Sequence, residues 1–172
     1  MKLALRFRYV IFVALTCVVG LLWLLLPTHF ESTDTYAARI VAECADSKYR
    51  PTCYETSVPK LMDTGVSMEK AFDITRRIQV LDPTYRYCHV LAHELSAKET
   101  KKDLSKWKEV IARAPSGICG NGGLHGAFQE RFRSDAMPHL TAQELSGQLR
   151  GVCDQRPGWN PTYLERASCM HG

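Results

Sequence analysis

Although the chain holds seven cysteines, no two of them stand as Cys-x-x-Cys. That absence removes the zinc-ribbon and thioredoxin-type readings, which both need the pair on one turn. Cys-x-x-Cys-His is missing as well, so covalent c-type haem has no support, while haem held by two histidines stays open. No Gly-Lys-Ser/Thr closes the glycine-rich stretch Gly120 to Gly123. Its backbone N–H groups can hold an anion ahead of a helix, but it is not a P-loop. Alternating strands, fixed-length repeats and low-complexity linkers are lacking too.

Acidic residues are absent before Glu31, and Lys2, Arg6 and Arg8 stand alone ahead of an uncharged apolar run from Tyr9 to Leu26. As a helix that run spans roughly 27 Å, close to the thickness of a hydrocarbon core. It leaves through Leu26-Pro27-Thr28-His29 with no small-residue Ala-x-Ala site, so an uncleaved signal anchor is expected over a cleaved peptide. The positive-inside rule then keeps the N-terminus cytoplasmic and exports the rest, periplasmic or extracellular. Residues 1–29 are read as basic flank and single transmembrane helix, and 30–172 as one exported Cys/His-rich domain.

Charge of one sign is scarce in that domain. Three of the 22 basic residues flank the anchor and all 18 acidic ones follow it, leaving 19 basic against 18 acidic, a net of +1. Its charges alternate and form no Lys/Arg block, which argues against a nucleic-acid partner. The membrane, through residues 9–26, and an envelope protein remain as partners; nothing in the sequence sets an oligomeric state.

What is present begins with cysteine. Cys17 falls in the apolar run, and Cys44, Cys53, Cys88, Cys119, Cys153 and Cys169 would be exported. Six in an oxidising compartment read as three disulfides, with fifteen connectivities open. Cys44 and Cys53 flank the turn Ser47-Lys48-Tyr49-Arg50-Pro51, so a bridge across a helical hairpin is the best single pairing.

Helix signals fill the remainder. Asp34 is placed to cap a helix through Ala42. Ser67 precedes a stripe of Phe72, Ile74, Ile78 and Leu81. Asp82-Pro83 reads as N-cap and first helical residue of an element reaching His93. Another helix holds Trp107, Val110 and Ile111 before Pro115. Gly117 to Gly123 reads as loop, with a helix from Leu124 to Phe132. Thr141 to Glu144 matches a capping box, and Asn160-Pro161 precedes a last helix with Tyr163 and Leu164. The expected class is all-α: a transmembrane helix followed by a disulfide-stapled helical bundle.

The chemistry falls to the histidines. His89 and His93 stand four apart on one helix face, a spacing that lets two imidazoles hold one ion. In zinc hydrolase helices the glutamate follows the first histidine; here Glu94 follows the second. His125 comes after the glycine stretch and His171 near the end, two residues beyond Cys169. His89, His93, His125 and His171 can supply three or four nitrogens to a transition metal: zinc, iron, copper or nickel. Glu94 and Glu130 are the carboxylates available to orient an imidazole or act as base, and the neighbouring cysteines would serve as struts. His29 and His139 lack such surroundings and read as surface residues. Cys119 with His125 as thiolate and base is a further option, needing one unpaired cysteine.

Cys88-His89-x-x-Ala92-His93, Gly122-x-x-His125-Gly126 and Cys169-x-His171-Gly172 together resemble motifs of a group of uncharacterised bacterial and archaeal membrane or secreted proteins. The likeness covers roughly residues 85–172 and implies a shared histidine–cysteine scaffold without an activity. In that group the last motif continues as Gly-x-Gly-His, so the expectation is a chain truncated at Gly172. The leading function is a membrane-anchored metal-binding protein, enzymatic or not. A disulfide-stapled ectodomain for a protein partner and a pH-responsive sensor are the alternatives.

Overall fold

Ser32 opens the first described helix: its hydroxyl accepts from the Thr35 N–H at 3.0 Å and frees Asp34 to sit inside the first turn. Asp34 was the expected cap, and the serine two residues earlier does that work. The computed structural model describes Thr16 and residues 31–115, 117–133, 141–155, 157 and 160–171. The chain divides into two units, Met1–Glu31 and Ser32–Gly172, and all that follows concerns the second. No helix among the described residues is long and apolar enough to cross a membrane. The run from Tyr9 to Leu26, Thr16 aside, lies outside them, as do His29 and His139.

Eight α-helices and no strand occur among the described residues: α1 (Thr33–Glu43), α2 (Arg50–Leu61), α3 (Met68–Leu81), α4 (His89–Lys102), α5 (Trp107–Arg113), α6 (Gly122–Arg131), α7 (Ala142–Leu149) and α8 (Tyr163–His171). The class is all-α, as the periodicity predicts. Ile40, Tyr54, Val58, Met68, Phe72, Ile74, Ile78, Leu91, Leu95 and Ile111 are fully buried and form one core from α1 to α5. Ser67 caps α3, and Thr141 with Glu144 forms the capping box of α7.

Two helix starts differ from the sequence reading. Asp82 ends α3 instead of opening α4, which begins at His89. Its buried carboxylate accepts from the Tyr54 hydroxyl at 2.8 Å, from Arg50 at 3.0 Å and from the Thr84 N–H at 3.1 Å, so it closes a turn at Pro83 and ties it to α2. At α8 the cap is Thr162, not Asn160: its hydroxyl accepts from Glu165 N–H at 3.3 Å, and Glu165 accepts from the Thr162 N–H at 2.7 Å.

Three disulfides staple the unit: Cys44–Cys53 across the α1–α2 turn, as expected, Cys88–Cys119, and Cys153–Cys169. Chain crosslinks of this kind typically contribute about 2–4 kcal/mol each. With Cys119 so bonded, its use as a thiolate nucleophile is ruled out.

The most extensive helix contact is α4 on α6, and glycine makes it. A Cβ on Gly122 would overlap the His89 carbonyl oxygen, and one on Gly126 would overlap that of His93. The two helices therefore pass in the same direction with matched four-residue steps, backbone against backbone. Gly122 and Gly123 lie inside α6, where the sequence reads loop, because close approach to α4 outweighs their poor helix propensity.

Candidate metal centre

The glycine contact sets the site. His89 and His93 share one face of α4 a turn apart, and His125 on α6 immediately precedes the Gly126 that touches the His93 backbone. The three rings converge, with centroids 4.7, 5.2 and 5.4 Å apart. One ring nitrogen of each lies within 4.8 Å of the other two, and all three residues are half-buried.

Each ring is held from behind by an oxygen. His89 Nδ1 sits 3.0 Å from the Cys119 carbonyl, and His93 Nδ1 is 3.2 Å from Gln129 Oε1. The Cys119 carbonyl only accepts, so His89 Nδ1 carries the proton and His89 Nε2 presents its lone pair toward His93. The two Nε2 atoms are 3.0 Å apart. His125 Nε2–H donates to the Ser168 carbonyl at 3.3 Å, beside the Cys153–Cys169 bridge.

The Cys119 carbonyl is aimed by a strained turn. Cys119, Gly120 and Asn121 take φ of 50°, 55° and 59°, three left-handed residues in succession. A non-glycine residue there costs about 1–2 kcal/mol, with asparagine the best tolerated. The bridge from Cys119 to Cys88, the residue before His89, holds the turn in place. Strain supported by a covalent tie next to a candidate ligand is a pattern of functional sites.

Burial lowers the His93 pKa below the ordinary imidazole value, and the nearby His89 and His125 add to that, while the Gln129 hydrogen bond opposes it. The neutral ring, the form that binds metal, is thereby favoured. At zinc–nitrogen distances of about 2.0–2.1 Å, tetrahedral ligands stand roughly 3.3 Å apart. The His89–His93 spacing of 3.0 Å is close to that figure. Three imidazoles, each with an outer hydrogen-bond partner, fit a divalent transition metal.

The site opens onto a cavity of about 960 Å³ walled by Phe128, Phe132, Leu145, Leu149, Val152 and Met170. Tyr87, 70% exposed, stacks on His89 with centroids 5.7 Å apart.

The other sequence candidates lie elsewhere. His171 lines the cavity but is exposed and stands outside the group of three converging nitrogens. Glu94 and Glu130 do not line that cavity; both face a separate groove with Asp63, Lys98 and Lys101. The orienting oxygens belong instead to Cys119, Gln129 and Ser168, none of which sequence reasoning selects. Gln129 had a legible signal, since it stands four residues after His125 on the same helix face. The two carbonyls had none, because any residue can supply one.

No protein-family model matches the chain, and neither a curated protein nor a solved structure matches it. The functional reading therefore rests on the geometry of the site.

Proposed function

We propose that this chain is a membrane-anchored, outward-facing protein whose helical domain binds a divalent transition metal through His89, His93 and His125. The observation that carries the reading is the pair of facing Nε2 atoms at 3.0 Å, each ring held by a hydrogen bond on its far nitrogen, with His125 converging on them. Two imidazole nitrogens at this distance can share one Nε2–H, and a metal ion can take its place between both lone pairs. A third ligand stands ready in His125.

Zinc, iron, copper and nickel all accept such a donor set. A metal held by three imidazoles supplies Lewis acidity and an acidified water when bound. The residues of this chain hold the ion, fix ring orientation and present an apolar chamber beside it. No carboxylate is among the described residues lining that chamber, so no general base is assigned. Three disulfides support an exported location, since such bonds persist in oxidising compartments. The uncharged run from Tyr9 to Leu26 supports the anchor.

Elemental analysis of the oxidised protein, purified without a histidine tag and with thiols counted, tests this reading. Near-stoichiometric metal in the native chain, lost in the His89→Ala/His93→Ala double variant, is expected. Protein that stays folded and takes up no zinc, copper, iron or nickel would overturn it in favour of a stapled ectodomain that binds a protein partner.

A further inference from the structure

The chamber beside the three histidines has an unusual chemical make-up. Among the described residues lining it there is no Asp, Glu, Lys or Arg. Its volume of about 960 Å³ falls within the range of small-molecule sites, and His89, His93 and His125 contribute part of its lining. Phe128 and Phe132 pack on Trp107, the first tilted and the second edge-on, at 5.3 and 5.1 Å between centroids, and make an aromatic wall.

Helix α7 also borders the chamber, and it is sparsely packed. None of its residues is buried, yet Leu145 and Leu149, four apart on one face, both line the chamber. One tie to its surroundings is the Arg131–Gln148 hydrogen bond at 2.8 Å. An apolar body lying in the chamber would bury both leucines.

Charge narrows the occupant. Three imidazole ligands leave a divalent cation uncompensated, and the described lining residues include no carboxylate to balance it. An anionic group on the ligand would. Those described residues include no Lys or Arg to receive a second anionic group, which disfavours nucleotides and sugar phosphates. They also offer few hydrogen-bonding groups for a polyol.

Building on the metal reading above, we infer that the chamber binds an amphiphilic monocarboxylate. Its anionic head lies at the metal held by His89, His93 and His125, and its hydrocarbon body lies against Phe128, Phe132, Leu145 and Leu149.

The test uses the full chain in maltoside micelles loaded with Co²⁺, whose visible bands respond to a change of ligand. Acetate, butyrate and hexanoate are titrated in turn; stopping at six carbons keeps partition into the micelle small. Full burial strengthens binding roughly fourfold per methylene, so hexanoate is expected to bind at least about tenfold more tightly than acetate. Leu149→Asp, at a position already 36% exposed and so tolerant of the change, should reduce that ratio to about threefold or less while Co²⁺ uptake is unchanged. Equal affinities for acetate and hexanoate would overturn the inference and leave the metal site standing. Hexanol binding as tightly as hexanoate would overturn it by showing that the head is not anionic. Failure to take up Co²⁺ at all would overturn both readings together.

Discussion

His89 and His93 face each other through their Nε2 atoms at 3.0 Å, and each has its Nδ1 hydrogen-bonded to a group behind it. The relationship turns an ordinary four-residue spacing on a helix into a bidentate platform. Its direction is set from outside the helix, by a backbone carbonyl on a strained turn and an amide on α6.

The amide separates two effects. Gln129→Leu removes the oxygen that orients His93, and loss of such an outer partner typically weakens metal binding about 10–100-fold. The same hydrogen bond raises the His93 pKa against burial, so its removal should lower that value further. In metal-free protein the His93 ring should titrate below about 6.5. Because the folded value is depressed, the stability it contributes is complete above the unfolded value and is lost as pH falls through the folded one. Chelator competition and histidine-resolved NMR titration check the two halves.

Two glycines inside helices should respond to alanine with opposite sign. Gly126→Ala drives a methyl into the His93 carbonyl and should destabilise the fold by about 1–3 kcal/mol while lowering metal content. Gly147→Ala in α7 meets open space and should stabilise by about 0.4–1 kcal/mol. Thermal unfolding together with metal analysis distinguishes them.

Two disulfides should separate stability from ligation. Replacing Cys44 and Cys53 by serine should cost about 2–4 kcal/mol and leave metal affinity unchanged, because that bridge closes the remote α1–α2 turn. Replacing Cys88 and Cys119 should cost a similar amount of stability and also weaken metal binding, since it releases the carbonyl that holds His89. Denaturation and chelator competition on both variants provide the comparison.

Acid stability should depend on Asp82. Its side chain is only 4% exposed, and hydrogen bonds from Thr84 and Tyr54 hold its carboxyl below the usual range despite the opposing effect of burial. The stabilisation is complete above the unfolded value of about 3.9 and is lost as pH falls through the folded one. Asp82→Ala should be about 1–3 kcal/mol less stable at neutral pH, through the orphaned Tyr54 hydroxyl, and should show a flatter acid limb. Urea denaturation between neutral and acid pH measures both. The partner Tyr54, pushed up to about 12 chiefly by burial, stays protonated throughout.

Replacing His171 by alanine should leave metal stoichiometry intact, because the residue lies exposed on the chamber wall and outside the three converging nitrogens. Loss of the metal in that variant would make it a fourth ligand.

The helices could be read from the chain because period and caps are short-range. Ser67 and Thr141 act where their neighbours say they should. Asp82-Pro83 misled because the same residue pair suits a helix start or a turn, and the choice went to Tyr54 and Arg50, 28 and 32 residues away. Gly122 and Gly123 misled for a related reason: propensity describes an isolated chain, whereas here a missing side chain is what lets α6 reach α4.

From the order of residues alone come the helical class, the Cys44–Cys53 bridge and the alignment of His89 with His93, all consequences of geometry within a few turns. Packing alone brought His125 to that pair, left His171 on the chamber wall, joined Cys88 to Cys119 and Cys153 to Cys169, and aimed the rings. The physical reason is that convergence depends on how near two backbones can come. Gly122 and Gly126 set that distance only against the carbonyls of His89 and His93.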